Sequence, residues 1–161
     1  MIGYRSIGND ELNFLIFSHN PIYGRRIISE WTGCGCKESQ FGMVSFFKEP
    51  YIWKDSLHKF NLKVDLKGNI EEGIATYKAS EDFGKTKIWT GREGKTEYKI
   101  SELYVRFYNP EDIIELNIGS RFTEFFIENC VIPFCKTYHI TLVRDICDIK
   151  SRKMHSYRLV F

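Results

Sequence analysis

The sequence predicts one α+β domain over residues 1–161, with a mainly antiparallel β-sheet and a few helices. Short apolar segments of strand length are numerous, whereas only two stretches have a clear helical period. Their order is strand, helix, many strands, one long helix and strands, which favours α+β over a regular βαβ repeat. A chain of 161 residues with 43% hydrophobic residues can bury a single core.

The chain is expected to begin with a short strand over residues 2–6, followed by a helix. Asn9 or Asp10 can cap this helix, and Asn20-Pro21 ends it. Its buried face is indicated by apolar residues at helical spacing, namely Leu12, Leu15 and Ile16.

The next third of the chain is less regular. Residues 21–42 contain glycines, a proline and two close cysteines, and predict a loop or a broken helix. A buried strand is expected over 42–47 and a short helix over 51–57. Residues 60–66 alternate apolar and polar side chains, which is typical of a half-buried strand.

Weaker strands are predicted over 74–79 and 85–90, before a glycine-bounded loop at 91–95. The clearest strand covers 100–107. Alternation there places Leu103, Val105 and Phe107 on one face and Glu102, Tyr104 and Arg106 on the other, so Glu102 is expected to point away from the most apolar face.

A further strand is expected over 113–118, and Ser120 is a suitable N-cap for a helix of about 13 residues ending near Pro133 or slightly beyond. The chain then closes with strands over 139–146 and 156–161. No internal repeat is found in the sequence.

Charge and hydropathy argue against several classes of protein, namely nucleic-acid-binding, membrane and secreted proteins. A net charge of +2 is too small to indicate a nucleic-acid or membrane partner through the overall field. No apolar run approaches the roughly 18–20 residues of a spanning helix, and residues 1–5 are not followed by a signal-peptide core. A cytoplasmic protein without a membrane partner is therefore expected.

The five cysteines indicate reduced thiols, because their odd number and spacing do not form the framework of a small secreted domain. A zinc site from Cys34, Cys36, Cys130 and Cys135 is conceivable. The C-x-C and C-x4-C spacings depart from the usual knuckle pairs, so no metal site is predicted.

Three predicted strands each carry a polar residue among apolar ones. They are Tyr4-Arg5, Val44-Ser45-Phe46-Phe47 and the segment from Ile100 to Val105, which contains Glu102. Arginine, serine and glutamate in this order resemble the strand motifs of the ADP-ribosyltransferase-like fold. The resemblance implies a split β-sheet whose cleft binds NAD.

By this resemblance, Arg5 with its neighbour Tyr4 contacts the dinucleotide, Ser45 supports the cleft, and Glu102 is catalytic. A fixed guanidinium suits a diphosphate, and a carboxylate suits the sugar cation that forms in the transition state. The expected activity is transfer of ADP-ribose from NAD to an unknown macromolecular acceptor, or hydrolysis of NAD.

The chain departs from the family pattern at two places. Ile100 stands where the arginine-modifying branch has a second acid, which disfavours modification of protein arginine. Hydrophobic residues flank Ser45 where hydroxyl residues are usual in that branch. The late segment Ile118-Gly119-Ser120-Arg121 also resembles bacterial domains of unassigned function, so a degenerate, non-catalytic relative remains an alternative.

Each candidate residue also has a purely structural interpretation. Arg5 can be the polar end of an edge strand, and Ser45 a buried hydroxyl bonded to a neighbouring carbonyl. Glu102 can form a solvated cross-strand ion pair with a lysine or with Arg106.

The second functional hypothesis is a non-catalytic bacterial or phage interaction protein that binds a protein or nucleic-acid partner. Aromatic residues make up 16% of the chain, and basic and aromatic residues interleave over 85–92 and 150–158. Bases can stack on Trp89 or Tyr157. Nearby acidic residues interrupt both basic tracks, so solvated strand faces are favoured over nucleic-acid binding.

Overall fold

The computed structural model describes residues 1–24, 42–53, 60–89 and 94–161. In chain order, the strands are β1 (Ile2–Ile7), β2 (Ile22–Tyr23), β3 (Val44–Phe47), β4 (Ile52–Trp53), β5 (Phe60–Asp65), β6 (Glu71–Ala79), β7 (Ile88–Trp89), β8 (Thr96–Val105), β9 (Phe107–Tyr108), β10 (Ile113–Gly119), β11 (Thr141–Cys147) and β12 (Met154–Leu159). The helices are α1 (Asn9–Ser18), α2 (Phe83–Thr86), a 3-10 turn (Pro110–Asp112) and α3, which joins Glu124–Phe126, a π turn (Ile127–Val131) and Ile132–Tyr138.

The main sheet has eight strands in the order β12-β11-β10-β5-β1-β3-β8-β6. Adjacent strands of this sheet are antiparallel except for β10 and β11, which are parallel and are connected through α3. Two small two-stranded pairings, β2 with β9 and β4 with β7, lie outside it. The predicted single α+β domain with a mainly antiparallel sheet is therefore confirmed.

At the centre of the main sheet, few residues of β1 and β3 are paired. Six residue pairs join β1 to β5, whereas the described ladder between β1 and β3 has one, Tyr4 with Phe47. On the far side of this join, β3, β8 and β6 are well paired again. The sheet therefore consists of two firmly paired halves that meet at one short junction.

Side-chain alternation gives the main sheet two different faces. The closed face carries the residues that pack in one core with α1 and α3, including Phe46, Val64, Leu103 and Leu116. The open face carries the alternate residues of the same strands, including Tyr4, Phe47, Lys63, Glu102 and Asn117. A smaller aromatic cluster, built on Phe83 of α2, covers only the β8–β6 end of the open face.

Helix α1 follows the expected apolar period, but its cap differs from the expectation. Its N-cap is Gly8, in extended conformation and without a side-chain bond, so Asn9 and Asp10 already belong to the helix. His19 ends it in the left-handed conformation, and its N–H donates to the carbonyl of Leu15. The helix thus closes at His19, two residues before Pro21, because the left-handed residue already stops it.

Helix α3 starts later and ends later than the sequence predicts. Its first segment is capped by Thr123, whose hydroxyl accepts from the N–H of Phe126, and not by Ser120. Pro133 lies in the first turn of the last segment, directly after the π turn, and the helix continues to Tyr138. The missing N–H of proline costs little at that position, so Pro133 does not end the helix.

Three further predictions need correction. Residues 52–53 form a strand where a helix was expected over 51–57, and residues 54–59 lie outside the described part of the chain. The region predicted as a strand over 85–90 contains the end of α2 and the two-residue β7. Phe107 belongs to β9 and is 44% exposed, because the strand β8 ends at Val105.

The early segment predicted as a loop or broken helix contains β2 at its start, and residues 25–41 lie outside the described ranges. In the described part of the chain, no helix is long and apolar enough to cross a membrane.

Candidate ligand-binding cleft

Arg5 lies on the closed face and takes part in a buried ion pair. Its Nε and Nη2 atoms donate to the two carboxylate oxygens of Glu11, each at 2.9 Å, and both side chains are 4% exposed. The Tyr108 hydroxyl donates to Glu11 at 2.7 Å. The third guanidinium nitrogen, Nη1, donates to the carbonyl of Ser45 at 3.0 Å and so reinforces the narrow junction between β1 and β3.

This network stabilises the charges that it buries. Burial lowers the pKa of Arg5, but the charge and hydrogen bonds of Glu11 raise it more, and the net pKa lies above its ordinary value. Burial and the adjacent Glu11 raise the pKa of Tyr108 well above its ordinary value. Arg5 is therefore charged and paired with Glu11 in the interior, and because β1 lies between β5 and β3 the interpretation as the end of an edge strand is wrong.

Glu102 lies on the open face, 3% exposed, between two tyrosines. Its Oε1 accepts from the hydroxyl of Tyr77, and its Oε2 accepts from the hydroxyl of Tyr104 at 2.5 Å. No lysine or arginine of the described residues forms an ion pair with it. The alternative interpretation, a solvated cross-strand ion pair with a lysine or Arg106, is therefore wrong.

The predicted site residues are divided between the two faces of the sheet. Tyr4, Ser45 and Glu102 share the open face, and their strands are linked through the register pairs of Phe47. The guanidinium of Arg5 lies on the closed face with α1. The sheet thus separates Arg5 from the other three, although all four occupy neighbouring strands.

Ser45 is half-buried on the open face. Its carbonyl accepts from Arg5, whereas its hydroxyl has no hydrogen-bond partner among the described residues. The expected bond from a buried hydroxyl to a neighbouring carbonyl is therefore not formed.

A cleft of about 200 Å³ opens on the middle of the open face, above the junction of the two half-sheets. Its walls come from β1, β3, the segment after β3, β5 and β10. The side chains that give it its character are Tyr4, Phe47, Tyr51, Lys63, Glu115 and Asn117. Of the predicted site residues, Tyr4 and Arg5 line the cleft, although the Arg5 guanidinium lies on the closed face, and Ser45 and Glu102 are not among the lining residues.

One side of the cleft is aromatic and firmly packed. Phe47 contacts the Tyr51 ring edge to face at 5.0 Å, and Tyr51 in turn stacks on Phe83 at 5.3 Å. The ammonium of Lys87 lies 5.7 Å from the Tyr51 ring centroid and forms an ion pair with Glu49. Because each ring is held by another, this wall is preformed.

The opposite side of the cleft is polar, and its central group is Lys63. This lysine is half-buried and faces Tyr4 on one neighbouring strand and Glu115 on the other. No described residue forms a hydrogen bond or an ion pair with the Lys63 ammonium. The half-buried Lys63 side chain thus lines the cleft with an ammonium that forms no ion pair with a described residue.

The acid that faces Lys63 across the strand ladder is paired with another residue. The Glu115 carboxylate accepts from Arg158 at 2.6 Å. Asn117 accepts from the N–H of Gly119 through Oδ1 at 2.9 Å, and its amide nitrogen has no hydrogen-bond partner among the described residues. The Lys63 ammonium and the Asn117 amide, both on residues that line the cleft, are thus two donors without a partner in the described part of the chain.

The described cysteines are not arranged as metal ligands. Cys135 is fully buried, and burial raises its pKa to about 12, which keeps the thiol protonated. Cys34 and Cys36 lie outside the described residues. Within the described ranges, no group of three or more histidine, cysteine or acidic side chains could hold a metal ion.

The basic tract over 150–158 lies in the hairpin of β11 and β12. Its aspartates are engaged within the hairpin, since Asp145 accepts from Ser156 and Asp148 accepts from the N–H of Lys150 and the hydroxyl of Ser151. Tyr157 is exposed on β12. The other tract, over 85–92, is described only to Trp89, whose side chain lies outside the described structure.

Comparison of the chain with protein-family models, with curated proteins and with solved structures finds no match. The candidate site therefore depends on the geometry of the cleft alone. Its polar residues Lys63, Glu115 and Asn117 were not singled out from the sequence. The sequence shows these residues as the polar positions of two strands in which polar and apolar residues alternate. Such alternation does not distinguish a residue in a cleft from one on an open surface.

Proposed function

We propose that this protein is a non-catalytic binding domain that captures an anionic group in the open-face cleft. The observation that carries the proposal is the half-buried Lys63 side chain, which lines the cleft together with Phe47 and Tyr51 and whose ammonium forms no ion pair or hydrogen bond with a described residue. This deepens the hypothesis of an interaction protein by giving it a location and a charge preference.

The energetics favour a ligand of negative charge. An ammonium that loses hydration recovers the lost free energy only through hydrogen bonds or an ion pair. Arg5 obtains this compensation from Glu11 within the fold, whereas Lys63 has no such partner among the described residues. A bound carboxylate or phosphate supplies the missing charge, and a charge-assisted hydrogen bond of this kind is stronger than a neutral one.

The test is a titration of ¹⁵N-labelled protein with acetate and with inorganic phosphate, followed by two-dimensional NMR at constant ionic strength. We expect shifts of cleft amides in the wild type that are lost in Lys63→Met. Lys78→Met is the matched control, because Lys78 is exposed on the edge strand β6 and does not line the cleft. Equal shifts in Lys63→Met and the wild type would refute the proposal.

An ADP-ribosyltransferase-like protein acting on NAD is the second candidate. It is supported by the shared open face of Tyr4, Ser45 and Glu102, and by the buried position of the Glu102 carboxylate. Two observations oppose it: the Arg5 guanidinium is engaged with Glu11 on the other face, and the cleft of about 200 Å³ is smaller than the roughly 300–1,000 Å³ of typical ligand pockets.

NAD binding and turnover measured by ligand-observed NMR test this candidate. Glu102→Gln should abolish consumption of NAD and preserve its binding, whereas Glu97→Gln, an exposed change on the same strand, should alter neither. Absence of NAD binding by the wild type at millimolar excess would end this candidate.

A further inference from the structure

We infer that the open-face cleft selects a compact aromatic monocarboxylate, that is, one planar ring bearing one carboxylate. The inference rests on the proposed function and adds the chemical class of the ligand to it. It follows from three properties of the cleft: its charge, its two unlike sides and its size.

The charge of the cleft requires one negative group on the ligand. Lys63 contributes one positive charge that forms no ion pair with a described residue, and the ion pair of Glu115 with Arg158 is already balanced. The Asn117 amide adds a neutral donor on the same side, since its Oδ1 is occupied by the Gly119 N–H. A carboxylate has two oxygens and can accept from both donors, one at each oxygen.

The other side of the cleft requires a flat apolar group. Phe47, Pro50 and Tyr51 line it, and the Phe47 and Tyr51 rings are fixed edge to face at 5.0 Å. Aromatic rings bind other rings edge to face or offset, and gain more from a planar ligand than from a branched one. A ligand that bridges both sides therefore has a ring at one end and a carboxylate at the other.

The size of the cleft limits the ligand to about one ring. A space of about 200 Å³ lies below the usual range for drug-sized ligands of roughly 300–1,000 Å³. The Tyr4 hydroxyl, which has no partner among the described residues, lies in the same cleft and can bond to a polar substituent on the ring. A hydroxybenzoate fits this description better than a nucleotide or a fatty acid.

The experiment compares benzoate with acetate, benzyl alcohol and N-acetylphenylalanine in NMR titrations of the wild type. Acetate has the charge without the ring, and benzyl alcohol has the ring without the charge. N-acetylphenylalanine represents the carboxyl end of a protein chain. We expect benzoate to bind about tenfold or more tightly than acetate, because the ring is removed from water, and more tightly than the two other probes.

Two variants separate the contributions of the charge and the ring. Lys63→Met should remove the preference for benzoate over benzyl alcohol, and Phe47→Leu should reduce the preference for benzoate over acetate. Phe107→Leu is the control for the second change, since Phe107 lies in β9, away from the cleft. Spectra of unbound variants, unchanged outside the mutated region, establish that each is folded.

The outcomes distinguish this inference from the proposed function. If acetate and benzoate bind with equal affinity and both depend on Lys63, the inference of an aromatic ligand is wrong and the proposed anion binding in the cleft stands. Tighter binding of N-acetylphenylalanine would overturn the compact class in favour of a chain terminus. Absence of any Lys63-dependent shift with acetate, phosphate or benzoate would overturn both.

Discussion

Arg5 and Lys63 lie on adjacent central strands, one register position apart, and yet have different surroundings. Arg5 pairs with Leu62 in the ladder and points to the closed face, whereas Lys63 pairs with Tyr4 and points to the open face. Arg5 has a carboxylate at 2.9 Å, and Lys63 has no counter-charge among the described residues. Arg5 is thus neutralised within the fold, whereas Lys63, which is only half-buried, is the residue on which the proposed anion binding depends.

The largest effect is expected from Glu11→Ala, which leaves the buried Arg5 charge without its partner. Removing one member of a buried ion pair costs about 3–5 kcal/mol, and Tyr108 also loses its acceptor. We expect the free energy of unfolding, measured by urea denaturation, to fall by that amount. The double variant Arg5→Met/Glu11→Leu should recover much of the loss, because it removes both charges together.

The matched variant on the open face is Glu115→Ala, which breaks the ion pair with Arg158, a residue 61% exposed in its side chain. An exposed pair contributes typically under about 1 kcal/mol. If Glu115→Ala destabilised the protein as much as Glu11→Ala, the division into a structural face and a binding face would be wrong.

Tyr104→Phe tests the buried acid of the open face. Among the described residues this acid is Glu102, the counterpart of Glu11 on the closed face. The change removes one of the two hydroxyl donors to this carboxylate. A hydrogen bond to a charged group contributes about 1.5–3 kcal/mol, so we expect a loss of this size in urea denaturation.

Tyr98→Phe is the control for that measurement. Its hydroxyl donates to the backbone carbonyls of Ser80 and Glu81, which are neutral acceptors. Its loss should be smaller, about 0.5–1.5 kcal/mol. Equal losses in the two variants would show that the Glu102 carboxylate is not specially stabilised.

The closed face should also make the fold sensitive to alkaline pH. Burial raises the pKa of Cys135 from 9.0 to about 12, and that of Tyr108 lies well above 10.0. Both groups ionise in the unfolded chain first, so their contribution to stability is present below pH 9 and is lost as pH rises towards 12. Each group reduces the free energy of unfolding by up to about 1.4 kcal/mol per pH unit in its own window.

Thermal unfolding at intervals from pH 8 to pH 11 measures this dependence. In Cys135→Ala the slope between pH 9 and pH 10 should become shallower, although the variant is less stable at every pH because it leaves a small cavity. Val131→Ala, which also leaves a small cavity on the same helix but removes no titratable group, should retain the wild-type slope. An unchanged slope in Cys135→Ala would contradict the assignment.

The smallest effect on stability is expected from Lys63→Met. The Lys63 side chain forms no ion pair or hydrogen bond with a described residue, so its replacement should change the free energy of unfolding by no more than about 0.5 kcal/mol. The methionine can also cover apolar surface in the cleft. The same variant should lose anion binding in the NMR titration. A large loss of stability in Lys63→Met would mean that Lys63 has a structural partner and would remove the basis for the proposed function.

Local patterns predicted much of the secondary structure. The alternation in residues 60–66 located β5, and alternation around Leu103 placed Glu102 away from the main core. The ends of α3 were not predictable in the same way, because a π turn before Pro133 allows the helix to continue. That turn depends on how the helix packs, and a proline alone does not specify it.

The chain by itself determined which residues alternate, where α1 forms, and that the apolar content supports one α+β domain. These properties depend on neighbours a few positions apart, so they can be read from sequence. Tertiary structure decided that Arg5 meets Glu11 and Tyr108, that Arg5 and Glu102 lie on opposite faces, and that Lys63 borders a cleft. Strand order and the enclosure of a side chain depend on contacts between distant segments, and the hydrophobic pattern of each segment is compatible with several such arrangements.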